Sequence, residues 1–463
     1  MTVQRRCLLI ADLRHASPRW PALAGGLIAK GWEVTVVTAP LGAGAAEELG
    51  FPRIFAERAR IVACGSATDA LEPVRKLLWL FGLRRRQSLT EQLKAQLPAA
   101  GTRSAFDVAF QTLLALIGWP DLQAPWRRPA LRAARALLRE ESFDVLVSSS
   151  PYPTSHAVAA ALKRENPQLR WVADFRDLWA ENHNYQMPAW RRAIDRRWER
   201  RMLRNADAFT SPTEAWAEQL AQQHGKPGIC VPNGYVDYEP RRPTPPPSAR
   251  FTLLYAGVRY PLQQMITPLL EGIAVLCADG AINAATFQFR WVGPFDSETA
   301  REVARLKIGH VVSQEPPIPR DDAQRAQQEA GALLFLQWQD PATDWSSSLK
   351  LHESVGSGRP ILAIGGFSDS IVSRLLLQSG RTRFVHTVPE CAQALRGWLT
   401  EYRTTGTVEV SDDWETTART LSGISRGLDD LESTLFENML LQAPPSAGAE
   451  RPAERPVDMG TVT

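Results

Sequence analysis

Cysteine is scarce in this 463-residue chain. There are five, Cys7, Cys64, Cys230, Cys277 and Cys391, an odd number with no C-x-x-C pair. That excludes a disulfide framework or a cysteine-based zinc site as the organising device and predicts a reducing compartment. Excess charge of one sign is missing as well. Lys and Arg number 53 against 50 Asp and Glu, too even a balance for a dedicated nucleic-acid binder. No apolar run approaches the roughly 20 residues of a membrane span. The N-terminal stretch lacks the apolar centre and cleavage-like site of a secretory leader. A soluble, cytoplasmic chain is expected. There is no P-loop, no H-E-x-x-H and no D-x-D. The last absence argues against enzymes that grip a metal–nucleotide through paired aspartates. Gly42 to Glu47 half-matches a dinucleotide fingerprint, but follows the second strand and ends on Glu rather than Gly. Ser347 to Lys350 spells S-x-x-K without the K-T-G that would accompany it in an acylase.

What is present is an ordinary globular composition, 44% hydrophobic and 22% charged. The length suits two to four domains at roughly 100–200 residues each. Charge is distributed unevenly: residues 1–240 hold 32 basic and 24 acidic side chains, the remainder 21 and 26. A basic first half and an acidic second half imply two bodies with different partners.

The rhythm is strand, helix, strand. Residues 7–12 (CLLIAD) are a short apolar run, 20–30 have helical spacing ending at Gly31, and 33–38 (EVTVVT) alternate and are β-branched. Such close spacing predicts a βαβ crossover and a parallel sheet. Strands are expected at 143–149, 170–175, 206–211 and 228–232, with helices 155–164 and 213–223 between them. The proline-rich stretch 239–250 reads as a linker, since proline can continue neither a helix nor a central strand. The rhythm restarts with strands 252–257, 287–292, 332–337 and 361–365. The sequence therefore predicts an α/β protein of two Rossmann-like, doubly wound domains, 1–238 and 251–411. Residues 60–140 are expected as an insertion in the first. Residues 412–441 are expected as C-terminal helices, with a crossing back to the first domain left open, and 442–463 as a disordered tail. Within the insertion, residues 74–87 (VRKLLWLFGLRRRQ) carry five basic and no acidic side chains. That composition suits a membrane-surface helix and equally a helix packed on its own domain.

Three segments carry chemistry. In DWSSSLKLHESVGSGRPILAIG (344–365), Ser346 to Ser348 can cap a helix, and Lys350 and Glu353 share one of its faces. Helix dipole, free N–H groups and a lysine together form an anion site suited to a diphosphate, with Glu353 an acceptor suited to ribose hydroxyls. In LLYAGVRYP (253–261), a strand ends at Gly257 with Arg259 just beyond, at the sheet edge where open α/β folds bind ligands. In residues 143–179, three serines end one strand, and Asp174, Arg176 and Asp177 end the next. Buried carboxylates there must be paired. Each segment also has a plain structural reading: a capped helix, a loop arginine, an Asp–Arg pair.

Taken in order, these segments resemble bacterial glycosyltransferases of family 4, which have the GT-B fold. The matching stretches are DVLVSSSPYPTSH at 144–156, WVADFRDLW at 171–179 and SLKLHESVGSGRPI at 348–361. They are joined by Asn205 to Asp207, Pro232 to Gly234, Gly257 with Arg259, and Trp291 to Gly293. The resemblance covers roughly residues 1–430. It implies a GT-B arrangement of two domains facing across a cleft. The second domain would bind a nucleotide-sugar donor through Gly257, Arg259, Ser347, Ser348, Lys350 and Glu353, with Lys350 and Arg259 on the diphosphate. The first would bind a glycan or lipid-linked acceptor, with Arg19, Ser149, Ser150 and His156 on the acceptor side. Asp174, Arg176 and Asp177 would lie at the catalytic cleft.

Two departures matter. Trp345 stands where the family often has an acidic residue, and Arg176 and Asp177 stand where many relatives carry a histidine. The activity implied is glycosyl transfer (EC 2.4) in bacterial surface polysaccharide or glycoconjugate assembly. It would be retaining, with no metal and no cofactor, because cations would stabilise the leaving diphosphate. Peripheral inner-membrane contact through 74–87 is left open. The rival readings are a catalytically silent GT-B scaffold and a sugar-nucleotide epimerase.

Overall fold

In a computed structural model of the chain, the residues described are 4–16, 19–49, 51–65, 121, 123–182, 189–234, 250–260, 263–294, 296–339, 349–367, 370–408 and 423–438. The expected linker is outside them apart from Arg250. So are the segment 74–87, the tail 442–463, and Ser346 to Ser348 with Trp345.

Among the described residues, thirteen strands form two wholly parallel sheets. The first has the order β3-β2-β1-β4-β5-β6-β7. Its strands are β1 Arg6–Ile10, β2 Glu33–Thr38, β3 Arg60–Ala63, β4 Val145–Ser149, β5 Arg170–Asp174, β6 Ala208–Ser211 and β7 Gly228–Cys230. The second has the order β10-β9-β8-β11-β12-β13. Its strands are β8 Phe251–Ala256, β9 Phe287–Val292, β10 Val312–Glu315, β11 Ala332–Leu336, β12 Ile361–Ile364 and β13 Thr382–Val385. Strand order reverses at β1/β4 in one sheet and at β8/β11 in the other, which fixes where a ligand crevice opens beyond the strand ends.

The sequence reading missed β3, β10 and β13, for a common reason. All three are sheet edges. β3 and β10 bury no residue fully and β13 buries one, whereas β4 and β11 bury all five of theirs. An edge strand packs one flank only and need not be apolar. The stretch 60–140, expected as an insertion, accordingly begins and ends in the framework: β3 opens it, and helix α2 (below) closes it with Ala130, Ala134 and Leu137 in the core.

In the first domain, α1 (Arg19–Ala29) lies on one face of the sheet. The other face carries α2 (Arg127–Glu140), α3 (Pro153–Glu165), α4 (Ala189–Leu203) and α5 (Glu214–His224). Their sides of the sheet form two separate apolar clusters, one centred on Trp171 and Phe175, the other on Trp20, Leu23 and Leu27. α5 is bounded as its sequence dictates: the Thr213 hydroxyl caps it, and Gly225 leaves it at φ 64°. The second domain adds α6 (Thr267–Ala278), α7 (Ser297–Arg305), α8 (Arg320–Glu329), α9 (Leu349–Gly356), α10 (Ile371–Gln378) and α11 (Val388–Thr405). Its core gathers Phe251, Phe287, Phe289 and Trp291 from two neighbouring strands.

The last described α-helix, α12 (Gly423–Ser433), returns to the first domain. Ile424, Leu428 and Leu431 join the α1 cluster, and Glu432 accepts from Trp32 Nε1 at 2.7 Å and Arg5 at 2.8 Å. No described helix is long and apolar enough to cross a membrane.

Candidate functional site

The carboxyl edge of the second sheet is hollowed by glycine. Gly257 follows β8 at φ 140°, Gly293 follows β9 at φ 134°, and Gly365 and Gly366 follow β12 at φ 80° and 78°. A methyl group on any of them would collide. At Gly257 it would fall 2.2 Å from Lys350 Nζ, and at Gly293 2.5 Å from the Gly257 carbonyl oxygen. At Gly366 it would fall 2.2 Å from the Gln337 amide oxygen. The chain thus turns away from each strand end without a side chain, and other groups close over the gap.

Lys350 occupies that gap. Its stem crosses Gly257, and its ammonium donates to the Val258 carbonyl at 3.2 Å, 5.3 Å from the centre of the Tyr255 ring. Desolvation lowers its pKa, with Glu353 opposing. A cavity of about 250 Å3 opens beside it, lined by Tyr255, Tyr260, Gln264, Trp338, Ser354 and Phe367 among others. At its rim Tyr260 and Trp338 stack with ring centres 5.2 Å apart. A partly desolvated cation next to an aromatic shelf suits an anionic ligand with a flat apolar part.

Arg259 is not a second free cation there. Only 4% exposed, it donates to Asp296 at 3.1 Å, Thr299 at 2.9 Å, Glu298 at 3.0 Å and the Gln264 carbonyl at 3.0 Å. Asp296 also caps α7 through the backbone N–H groups of Glu298 and Thr299. The expected diphosphate contact through Arg259 is therefore corrected: the guanidinium clamps α7 to the end of β8. Its sequence position marks the right edge, but acidic partners 37 and 39 residues away take its donors. Glu353 is half-buried on α9, one turn from Lys350. Ser347 and Ser348 fall outside the described residues.

In the first domain, the corresponding edge is filled. Asp174, fully buried at the end of β5, accepts from Arg19 at 2.9 Å, Trp20 Nε1 at 2.7 Å, Ser149 at 2.9 Å and Thr210 at 2.8 Å. Burial opposes its charge, yet Arg19 and these donors hold the carboxyl below the usual carboxylate range. Arg19 also binds the Val231 carbonyl at 2.7 Å and Asn233 at 3.1 Å. Ser150 accepts from the Arg176 N–H at 2.9 Å.

The acceptor-side set is corrected accordingly. Arg19, Ser149, Ser150 and His156 are each at most 5% exposed, so they brace the edge from within. His156 lies deepest. It stacks on Phe175 with ring centres 4.9 Å apart, and its Nδ1 is 2.8 Å from Ser148 Oγ, which accepts from Trp171 Nε1. Desolvation lowers its pKa to about 4. Asp174 likewise serves as a latch among interior donors rather than an open catalytic carboxylate.

Arg176 and Asp177 do reach the surface of this edge. Their side chains are 38% and 46% exposed. The surrounding protein still raises the Asp177 carboxyl by desolvation, with Arg176 opposing.

Beside them are residues that sequence reasoning missed. Asp12, just past β1, is held by Arg14 at 2.7 Å. Asp121 accepts from the Thr154 N–H at 2.6 Å and its hydroxyl at 2.9 Å, and burial raises its pKa. Tyr152 packs edge-on against His15, ring centres 4.8 Å apart, and desolvation together with Asp121 and Asp12 pushes its phenol up to about 12. Asp12 was findable as the polar residue ending CLLIAD. Asp121 was not, since nothing near it in sequence marks it.

Residues 16–234 match the family model described as Glycosyl transferase 4-like domain. No curated protein matches the chain. Among solved structures, a glycosyltransferase from Rickettsia africae ESF-5 superposes with TM-score 0.55 at 10% identity, covering 94% of this chain and 100% of that one. Anabaena Alr3699/HepE, in complex with UDP and glucose, superposes at 0.54 with 11% identity, covering 93% and 100%. A UDP-N-acetylglucosamine 2-epimerase superposes at 0.50 with 10% identity, covering 98% and 100%. At these identities the likeness establishes the fold. The chain has the GT-B architecture of two Rossmann-like domains, and residues 16–234 are similar to a glycosyltransferase 4-like domain.

Proposed function

We propose that this protein transfers a glycosyl group from a nucleotide-sugar donor to a glycan or lipid-linked acceptor. One observation carries the reading: Lys350 lies across Gly257 at the switch point of the second sheet, beside a cavity with an aromatic rim. On this reading residues 251–411 hold the donor and 1–238 the acceptor. The Lys350 ammonium faces the diphosphate, and Glu353 accepts from the ribose. As the bond from the anomeric carbon to the diphosphate breaks, negative charge grows on the leaving oxygen, where a partly desolvated cation acts most strongly. The acceptor hydroxyl attacks from the same side and its proton passes to the leaving phosphate, which retains configuration. The chemistry needs no metal and no cofactor. Asp177, Arg176 and Tyr152 form the acceptor's polar wall, with Asp12 held behind them by Arg14. Cytoplasmic assembly of bacterial surface polysaccharide or glycoconjugate fits such a reaction.

The test is a thermal-shift screen with UDP-, GDP-, ADP- and dTDP-sugars, since a ligand of the native state raises the melting temperature by mass action. Lys350→Ala should lower affinity for the stabilising nucleotide ~10-fold or more, a charge-assisted contact's worth, with the melting temperature nearly unchanged. Arg259→Ala should do the reverse, lowering the melting temperature by releasing α7. No stabilisation by any nucleotide sugar would refute the reading. The epimerase reading draws on the shared fold, and release of an epimerised sugar without transfer would favour it.

A further inference from the structure

Helix α4 presents two unlike faces. Its inner face buries Arg191, Asp195, Glu199 and Met202. Arg191 and Asp195 pair at 2.9 Å, and Glu199 accepts from the Ala180 N–H at 3.0 Å. At 3.6 residues per turn, Trp190, Ile194, Arg197 and Arg201 then fall in one outward stripe. Trp190 is 42% and Ile194 47% exposed. Arg200 and Arg204 flank the stripe, both exposed. Among the described residues, none of Arg197, Arg200, Arg201 and Arg204 forms an ion pair. Two large apolar side chains thus stand in water next to four uncompensated cations.

The neighbouring elements extend the pattern. α4 packs on α3, and α3 on α2, along the same face of the first sheet. α2 exposes Arg127, Arg128, Arg132 and Arg139. The opposite face of that sheet is covered by α1 and α12, where Lys30 and Arg5 are paired with Asp429 and Glu432. Among the described residues, unpaired positive charge is therefore concentrated on this helical layer.

We propose that this layer, with the outward stripe of α4 at its centre, docks on an anionic lipid bilayer. The arginines supply charge complementarity to acidic headgroups. Trp190 and Ile194 supply what phosphate binding alone does not require, apolar bulk that enters the interfacial region. A nucleic acid would use the arginines and leave the isoleucine in water. The loop leaving the acceptor edge at Asp177 is tied to this helix by Trp179 against Trp198, ring centres 5.2 Å apart. Docking would thus set that edge near headgroups.

The experiment is co-sedimentation of the full chain with phosphatidylcholine vesicles, with and without phosphatidylglycerol, at low and high salt. Wild-type protein should bind the anionic vesicles and release them at high salt. The triple variant Arg197→Gln, Arg201→Gln, Arg204→Gln should bind about a hundredfold more weakly, from three surface cations. Trp190→Ser with Ile194→Ser should bind ~10-fold more weakly through lost apolar burial. All these residues are exposed, so circular dichroism and melting temperature should stay at wild-type values. Arg84→Gln, Arg85→Gln, Arg86→Gln, in the other basic segment, should weaken binding less than either helix variant. The proposal fails if wild type ignores anionic vesicles, if either helix variant binds like wild type, or if the 84–86 variant loses the most. It fails too if wild type prefers RNA to vesicles at equal salt. Vesicle binding is read without donor or acceptor, so its outcome is independent of the proposed transfer reaction.

Discussion

The two sheets share a topology and differ at their carboxyl edges. In the first, side chains converge on Asp174 until its carboxylate has an arginine, an indole and two hydroxyls for partners. In the second, glycines at the ends of β8, β9 and β12 remove side chains, and one lysine lies in the space. The same crevice that topology provides is locked by polar contacts in one domain and opened by missing Cβ atoms in the other. A cluster of charged residues at a strand end therefore does not by itself mark a reaction centre. What distinguishes the two is whether the charges satisfy one another.

The largest expected effect breaks the lock. Asp174→Ala leaves the Arg19 guanidinium buried without its carboxylate, which costs ~3–5 kcal/mol of stability. Urea unfolding measures it. A loss under ~1 kcal/mol, the range of an exposed pair, would mean that the first edge is open after all.

The next effect is one of pH. His156 and His352, one in each domain, are both nearly inaccessible and held at about 4 from an ordinary value of 6.5. Between those values the unfolded chain binds a proton that the native state refuses. Stability is thus full above pH 6.5 and falls as pH drops toward 4. Each histidine accounts for ~3 kcal/mol of that fall, at 1.36 kcal/mol per unit. His156→Phe, which keeps the stack on Phe175, should flatten the acid limb of a stability–pH curve for the first domain and leave the second domain's unchanged.

The smallest effect on stability is the most telling about the second edge. Gly257→Ala forces an alanine to φ 140° and pushes Lys350 aside. It should cost ~1–3 kcal/mol and also weaken nucleotide binding by calorimetry. Gly31→Ala is the control. Gly31 sits at φ 89° with nothing near its absent side chain, so it should cost stability alone.

Much of the framework was legible in the residues. The central strands are continuous apolar runs because parallel strands are covered on both faces, and β1, β2, β4, β5, β8, β9, β11 and β12 could all be read. Three of the four edge strands, β3, β10 and β13, could not, since half-exposed strands carry no such signature. That Gly257 and Lys350 lie at the carboxyl edge of the second sheet was legible, because a glycine ending a strand and a lysine starting the next helix are placed there by the strand–helix order. Arg259 and His156 were misread because their partners lie far off in sequence or in the core. Helix α4 drew no notice, since seven arginines between Ala189 and Arg204 do not reveal which ones the fold pairs.

The order of strands and helices, the two sheets and the glycine-ended strands were determined by the sequence itself, because local propensity and apolar periodicity act over a few residues. Which charges are spent inside and which face a ligand or a surface was decided only by the tertiary structure. A charged group's role depends on what lies within a few ångströms of it, and those neighbours come from distant parts of the chain.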